Sequence, residues 1–267
     1  MMYTEIMETS SHFAVQNEYF SYGHTRSKNT DYEQFKQHMH PYYELLYVKN
    51  IAPSQMNVDG KLYPVRPNTL LIIKPGCYHY LMLPTKCFYE RFVVTLDDDF
   101  AELVERMGDD LVFNVSGDGV ISMIFDKLVK YETLLNADEA RTVARNSMYE
   151  VLVYLHNAQV KRVDFDSTDS LTERTISYVA DNLCSISSID DIVNDLYVAK
   201  STLCHTFNQN MKISLMKYVR QKKVTYAHAL IKQGMKPTKA CEAAGFDNYT
   251  TFFRAYKTII GSSPKEK

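Results

Sequence analysis

The segment that most constrains the fold of this chain lies near its C-terminus, at residues 236–264. Pro237 suits the first turn of a helix, because the amide hydrogen that proline lacks would have no partner there. Gly245 falls where a helix ends on a left-handed residue, and Asp247 or Asn248 can cap the helix that follows. Two short helices joined by a tight, glycine-containing turn indicate a helix-turn-helix, whose second helix is sized for the DNA major groove.

Both predicted helices have an apolar face. In the first helix, three alanines should share one face: Ala240, Ala243 and Ala244. In the second, aromatic residues recur at steps of three and four: Tyr249, Phe252, Phe253 and Tyr256. This spacing is typical of an amphipathic helix that packs one side on a core.

These helices resemble the signature of AraC/XylS-type transcription regulators. The residues that carry the resemblance are Ala240, Ala244, Gly245, Phe246, Asp247, Phe252, Arg254, Tyr256, Lys257, Gly261, Ser263 and Pro264. The resemblance covers roughly the last hundred residues. It implies a regulator that binds double-stranded DNA and a small-molecule effector, forms a homodimer and contacts RNA polymerase, as an activator or a repressor. It implies no cofactor and no enzymatic activity.

Charge is divided unevenly along the 267 residues, although the net charge is only −2. Residues 200–267 contain 13 Lys and Arg but 3 Asp and Glu, a net charge of +10, and the remaining residues therefore carry −12. A basic tail behind an acidic body suits a polyanionic partner for the tail alone. The length suits two domains, and a hydrophobic content of 45% suits a sizeable core.

Cysteine usage and hydropathy predict a cytoplasmic protein without a membrane segment. The five cysteines form no CxxC pair and have no zinc-type spacing: Cys77, Cys87, Cys184, Cys204 and Cys241. The N-terminus lacks the basic start and apolar core of a signal peptide. No run approaches the ~20 apolar residues that a membrane helix needs.

The N-terminal half has the pattern of short strands. Between residues 37 and 96, β-branched and aromatic runs are broken by proline, glycine and aspartate. Asp59 and Gly60 form a strong two-residue hairpin signal, and residues 1–35 suit edge strands. Many short antiparallel strands predict a β-sandwich or a jelly-roll barrel.

Two short motifs resemble those of the cupin fold, a barrel that many AraC/XylS regulators carry as their sensor. The first is His38-x-His40-x3-Glu44, and the second runs from Pro75 to His79 in an abbreviated form. The fold class implied is α+β. A cupin-like β-barrel (jelly roll) and a helical linker would precede an all-α domain with two helix-turn-helix motifs.

The motif residues are candidates for a ligand site. Strand alternation puts His38 and His40 on one face with Glu44, and a neighbouring strand could bring His79 alongside. The predicted ligand-binding residues are His38, His40, Tyr42, Glu44 and His79. Three imidazoles and a carboxylate could bind Fe, Mn, Zn or Ni. The same side chains could instead form hydrogen bonds to an organic ligand, or they could have a purely structural role. The family resemblance favours a metal-free sensor, and the tyrosines around these motifs suit stacking on a sugar or another small polar ligand. The competing hypothesis is a cupin metalloenzyme or metal sensor with an accessory DNA-binding tail.

The rest of the chain is predicted to be helical. Helices at 120–134 and 139–156 would form a self-association surface or simply pack on the barrel. Further helices are expected at 172–183, at 200–209 and at 214–231. Another helix should begin at a capping box formed by Ser188 and Asp191. The predicted domains are a barrel (1–112), a helical linker and dimerisation region (113–160), an interdomain linker (161–170) and a DNA-binding domain (171–267).

Helix periodicity and the family resemblance together assign the DNA contacts. Leu203 and Phe207 should point to the core, so the opposite face of their helix is free. The predicted base-contacting residues are Ser201, Cys204, His205, Tyr249, Thr250, Phe253 and Arg254. Arg254 can form two parallel hydrogen bonds with a guanine, contact a phosphate or form a structural ion pair. Phe253 can contact a thymine methyl group or pack in the core.

Basic side chains should position the protein on the DNA backbone. The candidates are Lys200, Lys212, Lys217, Arg220, Lys222, Lys223, Lys236, Lys239 and Lys257. The predicted phosphate contacts among them are Lys200, Lys212, Lys236 and Lys257. Two such helices in one chain would enter successive major grooves, about 34 Å apart.

Overall fold

Two antiparallel sheets form the N-terminal part of the molecule, and helices form the C-terminal part. The computed structural model describes residues 14–16, 20–30, 36–84, 86–109, 111–117, 119–158, 160–167 and 170–265. The mixed α+β class predicted from the sequence is therefore confirmed.

The larger sheet has the strand order β1-β2-β8-β3-β6-β9, and the smaller has the order β10-β5-β4-β7. The strands are β1 Ala14–Gln16, β2 Ser21–Thr30, β3 Tyr43–Asn50, β4 Ser54–Val58, β5 Lys61–Val65, β6 Thr69–Ile73, β7 His79–Met82, β8 Cys87–Leu96, β9 Val112–Asn114 and β10 Asp166–Ser167. The hairpin predicted at Asp59 and Gly60 joins β4 to β5, with φ angles of 45° and 82°. Both residues take the left-handed conformation that a tight hairpin turn requires.

Strand β3 explains how the sheets and the first helices pack. Leu45 and Tyr47 face one side of the larger sheet, where Tyr47 stacks on Phe125 at 4.5 Å between ring centroids. Leu46 and Val48 face the other side and share a buried cluster with residues of the smaller sheet. Successive side chains of a strand point to opposite faces, so a strand buried on both faces has a continuous apolar run.

Nine α-helices lie in the described ranges, and a short 3-10 helix, Asp98–Phe100, precedes the first of them. They are α1 Ala101–Arg106, α2 Gly119–Tyr131, α3 Ala137–Asn157, α4 Ser170–Asn182, α5 Ile189–Leu196, α6 Lys200–Met211, α7 Leu215–Lys232, α8 Pro237–Ala243 and α9 Tyr249–Ile260. Helices α2 and α3 pack on the larger sheet through Ile124, Phe125 and Leu152. Of the two alternatives left by the sequence, packing on the β-domain is the one seen here.

Helix α7 belongs to two buried clusters. Its first half packs with α4, α5 and α6 through Leu215, Tyr218 and Val219. Its second half packs with α8 and α9 through Val224 and Ile231. The helix pairs α5–α6 and α8–α9 are therefore joined by one continuous helix.

Two expectations about packing need correction. Ala243 is exposed, whereas Ala240 and Ala244 are buried, because α8 is only two turns long and ends at Ala243. Part of the predicted linker 161–170 lies on the β-domain: β10 pairs with β5, and the Arg162 guanidinium donates to the carbonyls of Met107 and Asp109. Charged, small residues therefore extend a sheet edge here as well as linking the domains.

Candidate functional site

The outer face of α6 carries the residues expected to contact bases. Leu203 and Phe207 are fully buried, which anchors the helix on the core. On the opposite face Ser201, Cys204 and His205 are exposed. The preceding helix, α5, begins at a capping box in which the Ser188 and Asp191 side chains bind each other's backbone amides, as predicted.

Helix α9 repeats this arrangement. Asn248, one of the two candidate residues, is the N-cap of this helix, and its side-chain oxygen accepts a hydrogen bond from the Thr251 amide at 2.8 Å. Phe252 and Tyr256 are buried. The residues predicted to contact bases are all exposed: Tyr249, Thr250, Phe253 and Arg254. Phe253 is 37% exposed, so its ring lies at the surface.

The turn between α8 and α9 is tied to the first helix pair by Lys223. Its ammonium group donates to the carbonyls of Ile186 at 2.7 Å and Gly245 at 2.6 Å. Burial lowers the pKa of Lys223. Because the buried donor holds segments from both helix pairs, it sets their relative position.

Lys222 and Lys223 were candidates for phosphate contacts, and that assignment was wrong. Lys223 is buried in the helical domain, and Lys222 pairs with Asp59 of the β-domain at 2.7 Å. The four lysines predicted to contact phosphate lie exposed: Lys200, Lys212, Lys236 and Lys257. Among them Lys200 already pairs with Asp190 at 2.9 Å.

The residues of the first cupin-like motif meet His79 in one place. We name the group of His38, His40, Glu44 and His79 the histidine cluster. Each contributes one ligand atom, and these four atoms all lie within 4.8 Å of one another. The backbone holds two of its segments together: His38 and His79 exchange backbone hydrogen bonds of 3.1 and 2.9 Å.

The hydrogen bonds of the three imidazoles define their tautomers. Each Nδ1 lies 2.9 Å from a backbone carbonyl: His38 faces Lys36, His40 faces Tyr42, and His79 faces Cys77. A carbonyl only accepts, so in each neutral ring Nδ1 carries the proton and Nε2 keeps a lone pair. Among the residues that the structure describes, the buried Nε2 atoms of His40 and His79 have no hydrogen-bond partner, and that of His40 lies 3.4 Å from a Glu44 carboxylate oxygen.

The charge state of the cluster follows from burial. Burial lowers the pKa of His79 to about 4 and also lowers that of His38, so both rings are neutral at pH 7. Burial alone would raise the pKa of Glu44, but the neighbouring imidazoles, first among them His40 at 3.4 Å from the carboxylate, outweigh burial and lower the pKa to about 2. Neutral imidazoles beside an ionised carboxylate are the protonation states in which these groups bind metal ions.

One predicted ligand residue lies beside the histidine cluster, and buried apolar side chains lie between the two sheets. Tyr42, the remaining predicted ligand residue, stacks on the His40 ring at 4.1 Å and is 40% exposed. The space between the sheets is occupied by buried hydrophobic side chains, including Met56, Tyr63 and Leu81.

The helical half defines the class of protein. Two pairs of short helices, each with a buried anchor face and an exposed second helix, are typical of helix-turn-helix DNA-binding proteins. Within the described ranges, no helix combines the length and the apolar composition that crossing a bilayer requires.

The family comparison and the curated relatives agree with this class. A family model described as a helix-turn-helix domain matches residues 192–267. An uncharacterised HTH-type transcriptional regulator of Bacillus subtilis, YfiF, is 23% identical over 95% of this chain and 85% of its own length. The arabinose operon regulatory protein of Salmonella typhimurium is 23% identical over 79% of this chain and 78% of its own length. The crystal structure of ToxT from Vibrio cholerae matches with a TM-score of 0.39 and 12% identity, covering 93% of this chain and 96% of that chain. Residues 192–267 of this chain therefore form a helix-turn-helix domain of the kind that these transcriptional regulators contain.

Proposed function

We propose that the chain is a sequence-specific DNA-binding regulator in which two helix-turn-helix units, α5–α6 and α8–α9, read successive major grooves. In this proposal a cupin-like β-barrel senses a small molecule and controls promoter occupancy. The observation that carries the proposal is the pairing of exposed outer faces on α6 and α9 with one connecting helix, α7. A rigid connection is what two units need if they are to bind at a set spacing.

Each second helix has a distinct role in base recognition. On α6, Ser201 and Cys204 are small, so His205 supplies the main hydrogen-bonding contact and shape contributes the rest. On α9, Arg254 contacts guanine and Phe253 contacts a thymine methyl group. Tyr249 and Thr250 contact neighbouring bases, and exposed lysines contact phosphates.

The proposed domain organisation keeps a barrel at 1–112, a helical region at 113–160 and a DNA-binding domain at 171–267, joined by residues 161–170, part of which packs on the β-domain. The helical region would supply the homodimer contact, since Met123 and Val153 are exposed on α2 and α3. A dimer doubles the number of half-sites read and so sharpens recognition of one promoter.

Selection of bound sequences from random DNA tests the proposed function. We expect a site with two protected segments about one helical turn apart in a footprint. Binding at moderate salt with no preference over competitor DNA would contradict it, because phosphate contacts alone are sequence-independent.

Arg254→Ala should weaken binding to the selected site by about 1–3 kcal/mol and change binding to random DNA little. The reason is that a guanidinium holding two base acceptors contributes only where the guanine is present. Fluorescence anisotropy on both DNAs measures the two affinities. Lys257→Ala is the control, since loss of a phosphate contact should weaken both complexes alike. Equal losses on both DNAs for Arg254→Ala would make Arg254 a phosphate contact.

A further inference from the structure

We propose that the histidine cluster is the effector site of this regulator, that it binds a divalent first-row transition-metal ion, and that the bound ion fixes the docking of α7 on the β-domain. This inference rests on the proposed function and deepens it, since it names the class of effector and the surface on which the effector acts.

The donor set of the cluster selects the ion. Imidazole nitrogens suit Zn²⁺, Fe²⁺ and Ni²⁺, whereas Mg²⁺ and Ca²⁺ prefer oxygen ligands. The Nε2 atoms of His40 and His79 are buried and have no donor facing them in the described part of the chain, and that of His40 lies 3.4 Å from a Glu44 carboxylate oxygen. Buried lone pairs without a donor are costly, and a cation between them removes that cost. The backbone carbonyls that accept from each Nδ1 are the partners that usually orient metal-binding histidines.

Binding of an ion would draw the cluster together. Its ligand atoms span up to 4.8 Å, whereas tetrahedral ligands of zinc lie roughly 3.3 Å apart. Closing that difference moves the segment 38–40 towards the segment that carries His79. The two segments are already linked, because the Gly76 amide donates to the His40 carbonyl at 2.9 Å.

The same two segments form the surface on which α7 docks. Met39, between two of the ligands, accepts a weak hydrogen bond from Thr225 of α7, with 3.7 Å between Sδ and Oγ1. Gly76 also faces Thr225, and a side chain there would come within 3.0 Å of the Thr225 methyl group. Tyr78, next to His79, packs edge-on against Tyr218 of α7 at 6.2 Å between ring centroids.

One carboxylate joins the ligand segment to α7. Asp59 accepts hydrogen bonds from the Tyr78 amide at 3.0 Å, from the Tyr218 hydroxyl at 3.1 Å and from Lys222 at 2.7 Å. We name this group the Asp59 junction. A shift of the segment 76–79 therefore reaches α7, and α7 carries both helix pairs.

These contacts indicate that the bound ion raises the affinity of the protein for DNA. The docked arrangement leaves the outer faces of α6 and α9 exposed, so docking is compatible with DNA binding. An ion that holds the ligand segments in place favours the docked state, and the loaded protein should bind its DNA site more tightly. Coupling between two sites of this kind changes affinity by about 5- to 150-fold.

Metal titration of the untagged, chelator-treated full chain tests the site. Isothermal titration with Zn²⁺ should give one tightly bound ion per chain. His38→Ala, at a half-buried position that tolerates truncation, and His79→Asn should each lose it. The matched control is His156→Ala on α3, where the histidine is exposed, and it should bind as the native chain does. Absence of stoichiometric binding by the native chain, or unchanged binding by both ligand variants, overturns the proposal.

The coupling is tested on the same samples. Zn²⁺ should slow proteolysis within residues 160–170 and raise affinity for the selected DNA site at least about fivefold. Asp59→Ala, which removes the acceptor, should still bind one ion but lose both responses. If the native chain binds Zn²⁺ and neither response appears, the coupling is wrong. A chain that selects a DNA site equally with and without Zn²⁺ retains the proposed function and refutes this inference, whereas a chain that binds Zn²⁺ and selects no DNA refutes the proposed function itself.

Discussion

Gly245→Ala is expected to lower the free energy of unfolding of the helical domain by more than about 3 kcal/mol, the largest effect of any substitution proposed for this chain. Gly245 has a φ of +71°, and an added Cβ would lie 1.8 Å from the Cys184 carbonyl oxygen and 3.0 Å from the Lys223 ammonium. The left-handed conformation costs about 1 kcal/mol for alanine. The remaining cost arises because backbone must move, and that movement disrupts the buried Lys223 hydrogen bonds.

Two other glycines of the same domain provide matched controls. Gly234 and Gly261 have φ angles of +95° and +84°, but an added Cβ would meet no atom within 4 Å at either position. Gly234→Ala and Gly261→Ala should therefore cost only the conformational term, about 1 kcal/mol each. Urea unfolding followed by far-ultraviolet circular dichroism measures all three variants. If the three substitutions destabilise equally, the close approach of Gly245 to Cys184 contributes nothing.

Asp59→Ala is expected to weaken the docking of α7 on the β-domain by about 2–3 kcal/mol. The substitution leaves Lys222 and Tyr218 without their acceptor, and Tyr218 is fully buried. Burial, together with the Asp59 charge, raises the pKa of Tyr218 well above its usual value, so the phenol stays protonated and donates. Asp59 and Lys222 side chains are 18% and 23% exposed, which moderates the cost relative to a fully buried pair.

A second substitution and a second ion pair sharpen this test. Asp59→Asn keeps an acceptor oxygen and the preference for the left-handed turn, so its effect should lie between the native chain and Asp59→Ala. A second ion pair between the two halves, Lys232 with Asp98, is more exposed, and Asp98→Ala should cost less than about 1 kcal/mol. Rates of proteolysis within residues 160–170 report docking in each variant. Equal rates for Asp59→Ala and Asp98→Ala would show that the Asp59 junction does not hold the interface.

Local signals in the sequence were sufficient for most elements. The turn at Asp59 and Gly60, the cap at Asn248 and the left-handed Gly245 each depend on a few neighbouring residues, and each was predictable. Apolar periodicity likewise indicated which face of α6 and α9 is buried. These features are local because backbone conformation and capping are governed by contacts within one or two turns.

Local sequence patterns did not predict the orientation of the Lys222 and Lys223 side chains. Adjacent lysines in a basic helix are typical of exposed side chains that contact phosphates. Lys222 pairs instead with Asp59, 163 positions away in the sequence. The other satisfies two carbonyls on separate segments. Side-chain direction depends on which segments pack around the helix, and helix periodicity alone does not encode that.

By itself the sequence determined the α+β class, the helix pairs with their exposed faces, and the residue types of the histidine cluster. Only the tertiary structure decided that the cluster's ligand atoms face one another with two lone pairs unmatched, and that its segments form the surface on which α7 docks. The physical reason is that strand alternation and helix periodicity determine only which face of its own element a side chain lies on. The approach of His79 to His38, and of Asp59 to Lys222, depends instead on how whole sheets and helices pack.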